Sequence, residues 1–353
     1  MTADDADLIE RLAEVVGADH ALAGDAVKDD YARDEALTAT PEQPVAVVLP
    51  ATTDEVAAVL RIADELRVPV TARGAGTGLS GGCVPRPGGI VVSFERMAAI
   101  VEIDTDNFVA VVEPGVQLDQ LDAALAPLGL VYPVFPGEYS ASLGGNVSTN
   151  AGGMRAVKYG VTRHHVTGIE AVLPSGEVIR SGGKVVKVST GYDLTQLVIG
   201  SEGTLALVTK AYLKLYPRAE HQATVLAPFA SLDQVTAAVP EIVRSGVGPL
   251  ILEYIDMLTM AAATAYVGLD LGIPEDVKEA ALAYLVVGLE STHADRLEAD
   301  THAVAERLAE LGSIDVYVLP PGAAAGLIDA REKAFWVAKA SGADDIIDVV
   351  VPR

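Results

Sequence analysis

The chain has one cysteine, Cys83, among 353 residues, so an internal disulfide is excluded and a reducing compartment, or indifference to redox state, is expected. It is equally poor in basic residues. Lys and Arg total 25 against 49 Asp and Glu, a net charge of −24. Such a surface repels nucleic acid and anionic lipid, which removes both as expected partners. No run of eighteen apolar residues occurs, so no membrane span is expected, and the acidic start Met1-Thr2-Ala3-Asp4-Asp5 has no apolar signal core. The reading is a cytoplasmic protein, with peripheral membrane attachment only through a partner. The six histidines (20, 164, 165, 221, 293 and 302) show no metal-ligand spacing, and no nucleophile elbow supports Ser-His-Asp catalysis. No metal site is therefore assigned.

Glycine is abundant where it counts. Arg73-Gly74-Ala75-Gly76-Thr77-Gly78-Leu79-Ser80-Gly81-Gly82 follows the strand-like Val68-Pro69-Val70-Thr71-Ala72. Glycines permit positive φ, expected here at Gly76 and Gly78, and successive backbone N–H groups can then converge on an anion. Thr77 and Ser80 add hydroxyls and Arg73 a charge, the chemistry of a diphosphate cradle. Gly74-x-Gly76 opens like a dinucleotide fingerprint, with Glu95 near the place of its ribose-binding acid. That fingerprint needs a helix at the loop. Here Cys83-Val84-Pro85-Arg86-Pro87-Gly88-Gly89 cannot be helical, and a strand follows at 90–94. The cradle therefore lies between strands, against Rossmann binding of a nicotinamide cofactor.

A length of 353 residues allows two domains and a large core. Periodicity predicts helices at 4–16 and 117–128, another, capped by Thr52 or Thr53, that contains Val56, Val59, Leu60, Ala63 and Leu66, and strands at 45–49, 100–103 and 108–112. Residues 18–44 read as a polar segment. A second glycine-rich stretch covers 140–153, where Ser142, Asn146, Ser148, Thr149 and Asn150 offer groups to a polar heterocycle; small-residue helix packing explains it equally well. A hairpin at 168–180, a short helix opening at Gly191-Tyr192-Asp193-Leu194 and a strand at 205–209 follow. Beyond 221, strands at 224–228, 250–255 and 314–319, with a further one within 281–290 whose start at 280–285 is ambiguous, alternate with helices at 231–245, 293–311 and 323–339. That pattern predicts an open sheet with helices on one face. A last strand-like run occupies 348–351.

Together these motifs resemble the FAD-linked oxidase family of vanillyl-alcohol-oxidase type, in the branch with the FAD subunit of glycolate oxidase, D-lactate dehydrogenase and D-2-hydroxyglutarate dehydrogenase. The matching stretches are residues 69–82, Gly144-Gly145-Asn146-Val147-Ser148-Thr149-Asn150-Ala151-Gly152-Gly153, Lys158-Tyr159-Gly160-Val161-Thr162-Arg163 and Gly200-Ser201-Glu202-Gly203-Thr204-Leu205. Leu252-Glu253-Tyr254-Ile255-Asp256 and Ala330-Arg331-Glu332-Lys333-Ala334-Phe335 match the family's substrate domain more loosely.

The resemblance implies an α+β protein. A lead-in (1–43) precedes a two-subdomain FAD-binding domain (44–219) and an α+β substrate or cap domain with an antiparallel sheet (220–353). It implies pyrophosphate binding by Arg73, Gly74, Ala75, Gly76, Thr77, Gly78, Ser80 and Gly81. Pro136, Gly137, Ser142, Gly145, Asn146, Thr149, Asn150 and Gly153 would surround the flavin, and Gly203 and Leu205 would close the adenosine side. Arg331 would grip a substrate carboxylate; on geometry alone it is equally an exposed arginine paired with Glu332 or Asp329. Members with tethered flavin carry a histidine in the loop, so noncovalent FAD is expected here. The activity implied is oxidation of a D-2-hydroxy acid by hydride transfer to flavin N5, with a homo-oligomer or a partner subunit as company. Family members also carry a His-x-x-Gly-Asp-Gly segment and a later histidine that supply a divalent metal and the base. Neither occurs here, so the cap domain is expected to be incomplete and no catalytic base is assigned. The alternatives are a flavin-binding subunit or fragment that docks a partner and has no turnover of its own, or a binding protein for another nucleotide. If the chain alone turns over, Arg331, His165 and Glu202 are the first residues to mutate.

Overall fold

Leu8, Leu12 and Val16 recur at helical spacing and are buried on one face of α1 (Ala3–Val16). In the computed structural model, which describes residues 3–349, they pack on a small sheet through the partly apolar face of a second helix. That layer contains β1 (Ala21–Ala23), β2 (Ala46–Val48), α2 (Thr53–Leu66), β3 (Val70–Arg73) and β4 (Ile90–Ser93). Its order is β1-β2-β4-β3, with β1 antiparallel and the other three parallel. Thr52 caps α2 by accepting the Glu55 N–H at 3.1 Å. Strand β1 lies in the segment read as merely polar. Three half-buried residues carry too short a pattern to register.

The next layer is β5 (Ile100–Asp104), β6 (Val109–Val112), α3 (Leu118–Leu125), β7 (Leu130–Val131), α4 (Leu143–Thr149) and, after an excursion through α5 (Ala156–Tyr159), which belongs to the second unit described below, β8 (Val166–Val172), β9 (Val178–Gly182), α6 (Leu194–Val198), β10 (Leu207–Lys214) and β11 (Tyr216–Pro217). Five of its strands form an antiparallel sheet, β5-β6-β10-β8-β9. The alternation of β8 is decisive. Ile169 and Ala171 enter the core beneath α3 and α4, whereas Val172 on the other face packs with α2 of the first layer. The strand expected at 205–209 begins at Leu207 and runs to Lys214, its outward positions being the polar Lys210, Tyr212 and Lys214. The glycine-rich stretch 140–153 is a helix in its middle, α4.

The described residues divide into two compact units, one running up to Gly152 and from Val161 to Pro217, the other comprising Gly153–Gly160 and the chain from Arg218 onward. The second unit holds α5 and then β12 (His221–Phe229), α7 (Leu232–Arg244), β13 (Ile251–Asp256), α8 (Met257–Val267), α9 (Glu275–Ala280), β14 (Ala283–Ser291), α10 (Ala294–Glu310), β15 (Tyr317–Val318), α11 (Pro321–Glu332) and α12 (Ala334–Ala340). Its antiparallel sheet is ordered β13-β14-β12-β15. The expectation of helices on one face fails. Val225, Ala227 and Phe229 pack with α7 and α10, while Leu226, Tyr284 and Val286 pack with Met260 of α8 and Leu327 of α11 on the other face. Helix α8, Met-Leu-Thr-Met-Ala-Ala-Ala-Thr-Ala-Tyr-Val, is apolar all round and so lacks the stripe that announces a helix. The helix expected at 323–339 is two helices meeting at Lys333, and the strand at 314–319 shrinks to Tyr317–Val318. The run at 348–351 forms no strand at 348–349, and the rest of it lies outside the described residues. Among the described residues no helix is long and apolar enough to cross a membrane.

Candidate functional site

Strand β3 delivers Arg73 into the glycine loop, and β4 takes the chain away on the other side. Arg73 is buried at 9% exposure. Its Nη1 donates to the Arg33 carbonyl at 2.7 Å, and its guanidinium lies 5.7 Å from the Tyr31 ring centre. Gly76 folds directly over it: a Cβ there would fall 2.2 Å from Arg73 Nη2. Within the loop positive φ occurs at Gly76 (75°) and Gly81 (78°). Gly78, also expected to need it, does not, and a Cβ there would come no nearer than 3.7 Å to Asp34. Asp34, buried, accepts the Cys83 N–H at 3.2 Å and the Ala36 N–H at 3.1 Å, and the Glu35 N–H donates to the Gly78 carbonyl at 2.9 Å. The polar lead-in thus holds the loop from outside, a role with no signature in sequence.

The second glycine-rich stretch meets the first at Ser142. This buried residue caps α4, its hydroxyl accepting the Gly145 N–H at 3.2 Å and the Ala75 N–H of the loop at 3.3 Å. Gly74 leaves room for that meeting; a Cβ there would lie 2.0 Å from Ser142 Oγ. On α4, Thr149 Oγ1 donates to the Gly145 carbonyl at 3.0 Å. Asn150 ends the helix in the left-handed region (φ 52°), and its side chain accepts the Arg163 N–H at 3.0 Å. The turn after α6 closes on the same helix: Gly200 N–H donates to the Val147 carbonyl at 3.0 Å and Glu202 N–H to the Ser148 carbonyl at 2.8 Å. Gly203 has φ 76°, and a Cβ there would lie 3.4 Å from that of Ala72 in β3.

Several expected residues fall around this junction. Thr77 is half-buried, Ser80 and Leu205 exposed, and Pro136 and Gly137 half-buried on the segment leading to α4. Gly153 stands apart, since it begins the segment that belongs to the second unit. Arg331 is also in that unit, on α11. It pairs through Nε with Glu253 of β13 at 3.0 Å rather than with Asp329, which holds Lys333. Among the described residues no group of three or more His, Cys, Asp or Glu could hold a metal ion.

The chemistry of the junction suits a bound polar group. Asn146 is 3% exposed, yet among the described residues its Nδ2 has no hydrogen-bond partner, and Ser201 Oγ is also buried without one. A buried donor left so costs about 1–3 kcal/mol, which an acceptor on a ligand removes. Glu95 is already taken: Tyr31 Oη and Ser93 Oγ both donate to its Oε1 at 2.8 Å, so it is no ribose clamp. Burial, reinforced by Glu95, pushes the Tyr31 hydroxyl up to about 12. Burial likewise raises the Cys83 thiol against the opposing pull of Arg73, keeping it protonated and a poor nucleophile. His165 is 1% exposed, its ring edge-on to Tyr132 at 6.2 Å and Tyr216 at 5.6 Å, a core position rather than an open base.

Residues 44–182 match a family model described as FAD binding domain, and residues 218–353 one described as FAD linked oxidases, C-terminal domain. An uncharacterized FAD-linked oxidoreductase of Mycobacterium tuberculosis is 60% identical over 347 residues, 98% of this chain and 76% of that protein. A D-lactate dehydrogenase of Anaerostipes hadrus is 36% identical over 356 residues, 98% of this chain and 73% of that protein. The chain thus spans about three quarters of the length of each. Among solved structures, 4-ethylphenol oxidase from Gulosibacter chungangensis superimposes with a TM-score of 0.75 at 20% identity, over 95% of this chain and 70% of that one, a likeness of fold alone.

Proposed function

This chain belongs to the FAD-linked oxidase family, with FAD as cofactor and the vanillyl-alcohol-oxidase type of fold, and from that premise we propose that it oxidises a short D-2-hydroxy acid of the glycolate, D-lactate or D-2-hydroxyglutarate class. One observation carries the cofactor half of the reading. Ser142 draws the Gly74–Ala75 backbone and the start of α4 to a single hydroxyl, beside the unsatisfied Asn146 amide. In this reading the loop from Arg73 to Gly81 holds the pyrophosphate by backbone N–H groups, with Thr77 and Ser80 as hydroxyl donors. Asn146, Thr149 and Asn150 meet the flavin ring edge with Pro136, Gly137 and Gly153, and Gly203 and Leu205 border the adenosine. Residues 44–219 form the cofactor domain, braced by the lead-in 1–43, and 220–353 the substrate side. When bound, FAD supplies the hydride acceptor, its N5.

Arg331 binds the substrate carboxylate. Its Nε is held by Glu253, which leaves the terminal nitrogens for a forked grip. Arg331→Met is expected to raise KM by about tenfold to a hundredfold, the worth of a charge-assisted pair, with Arg331→Lys falling between. The direct test is a visible spectrum of the purified protein, then addition of glycolate, D-lactate and D-2-hydroxyglutarate without oxygen. Bleaching of the flavin band by one of them is expected. Running the 60% identical mycobacterial relative in parallel locates the base: bleaching by this chain alone puts it within these residues. A flavoprotein that none of the three acids bleaches in either protein would leave the cofactor reading standing and overturn the substrate class. The flavin is also expected to stay in the supernatant after acid precipitation, since the loop has no histidine and Cys83 is protonated; colour retained in the pellet would show a covalent link.

A further inference from the structure

The first unit carries a cavity that the cofactor reading leaves unused. Its volume is about 440 Å³, within the range of about 300–1,000 Å³ usual for small-molecule sites. None of its lining residues is among those proposed to hold FAD. The fold builds it by bringing strand ends together. Val109 opens β6 opposite Lys214, the last residue of β10; Val166 opens β8 opposite Leu213; Gly182 closes β9 opposite Gly168. Phe108, just before β6, has φ 53°, a left-handed backbone uncommon for so bulky a residue, and its carbonyl accepts the Leu215 N–H at 2.8 Å. Its ring lines the cavity with Val109, Val185 and Leu215.

The charged lining is of one sign. It contains two lysines and a histidine but no Asp or Glu, in a chain with 49 acidic residues. Lys184 is already neutralised, its ammonium shared between Glu102 and Asp104. Lys214 is not: among the described residues no carboxylate pairs with it, and its ammonium lies 4.9 Å from the centre of the Tyr216 ring. His164 accepts the Val161 N–H on Nδ1 at 3.0 Å, which puts the proton of the neutral ring on Nε2 as a further donor. Thr167 and Asn107 donate elsewhere, to the Tyr212 carbonyl and to Asp104. We propose that this cavity binds a straight-chain carboxylate of medium length, its head on Lys214 with His164 beside it and its tail on the apolar wall. The lysine selects an anion. The wall selects a hydrocarbon tail, since it offers a sugar or an inorganic anion nothing beyond that charge.

The test is calorimetric titration of the full chain with butyrate, hexanoate, octanoate and octanol. Each added methylene should tighten binding about fourfold, and octanol should bind about tenfold more weakly than octanoate. Lys214→Met should weaken octanoate about tenfold to a hundredfold, as loss of a charged hydrogen bond would, and Lys214→Arg should restore most of it. Val186→Asp, at a lining position 90% exposed, sets a carboxylate at the mouth without disturbing the core and should cost about fivefold. Lys187→Met, an exposed neighbour outside the lining, should bind octanoate as the parent does. So should Arg331→Met, which separates this cavity from the proposed substrate site. No binding of octanoate, no dependence on chain length, or octanol equal to octanoate would overturn the proposal. So would full affinity in Lys214→Met or Val186→Asp, or a loss in Lys187→Met or Arg331→Met equal to that in Lys214→Met.

Discussion

Gly74→Val and Gly76→Val should each purify without flavin. At Gly76 two costs add. A β-branched residue at φ 75° loses about 2 kcal/mol or more relative to glycine. Its Cβ would also start 2.2 Å from a guanidinium that is pinned by the Arg33 carbonyl and the Tyr31 ring, and such overpacking costs about 1–3 kcal/mol. Together about 3 kcal/mol corresponds to at least a hundredfold loss of affinity. At Gly74 the backbone is unstrained, but the new Cβ would overlap Ser142 Oγ at 2.0 Å and part the loop from α4. Gly78→Ala is the contrast, since neither positive φ nor a close neighbour opposes it. Flavin content per protein, measured after unfolding, checks all three. Full flavin in Gly74→Val or Gly76→Val would show that the cradle is elsewhere.

Glu170→Ala should destabilise the first unit by about 3 kcal/mol, the lower end of the cost of breaking a buried ion pair, because its cations are partly solvated. Glu170 is 3% exposed on β8, on the face turned to α2. Its carboxylate receives Thr53 Oγ1 at 2.7 Å, Arg180 Nε at 2.7 Å, Lys210 Nζ at 3.0 Å and Thr209 Oγ1 at 3.3 Å. Burial alone would raise its pKa. The hydrogen bonds from Thr53, Lys210 and Arg180 and the charge of Lys210 outweigh burial and leave it below the usual glutamate range. A depressed folded pKa means stability that is present above the unfolded value and lost as pH falls through the folded one. The gap between parent and Glu170→Gln should therefore be largest near neutral pH and close in acid. Circular dichroism or hydrogen exchange follows the first unit. The single tryptophan, Trp336, reports the second and should be little affected. A gap that widens on acidification would reverse the assignment.

Both predictions concern residues of very different legibility. Gly74 and Gly76 stood out at once, because a cluster of glycines between two strands advertises its own backbone geometry. The error at Gly78 is instructive for the same reason: composition shows that a loop can adopt positive φ, while the angle at each position depends on what the loop is tied to. Glu170 looked like any charged residue in a strand. Its partner Thr53 is 117 positions away, and only the packing of α2 on the second sheet brings them together.

The sequence by itself determined the cofactor class, the place of the cradle between strands, most helices with a clear apolar face, and the family. The first and the last of these rest on the resemblance of its motifs to a known family; the other two rest on short-range physics: glycine's φ freedom, helix caps, and the two-residue and four-residue rhythms of strands and helices. The tertiary structure alone decided that Asp34 of the lead-in braces the loop, that Ser142 joins the two glycine-rich stretches, that helices cover both faces of the second sheet, and that Arg331 leans on Glu253. It alone placed 153–160 with the second unit, where Lys158 and Tyr159 both donate to Glu290. Each of these is a contact between residues far apart in the chain. Local preference is silent about such partners, because a carboxylate or a hydroxyl behaves the same in sequence whichever cation or N–H the fold eventually brings to it.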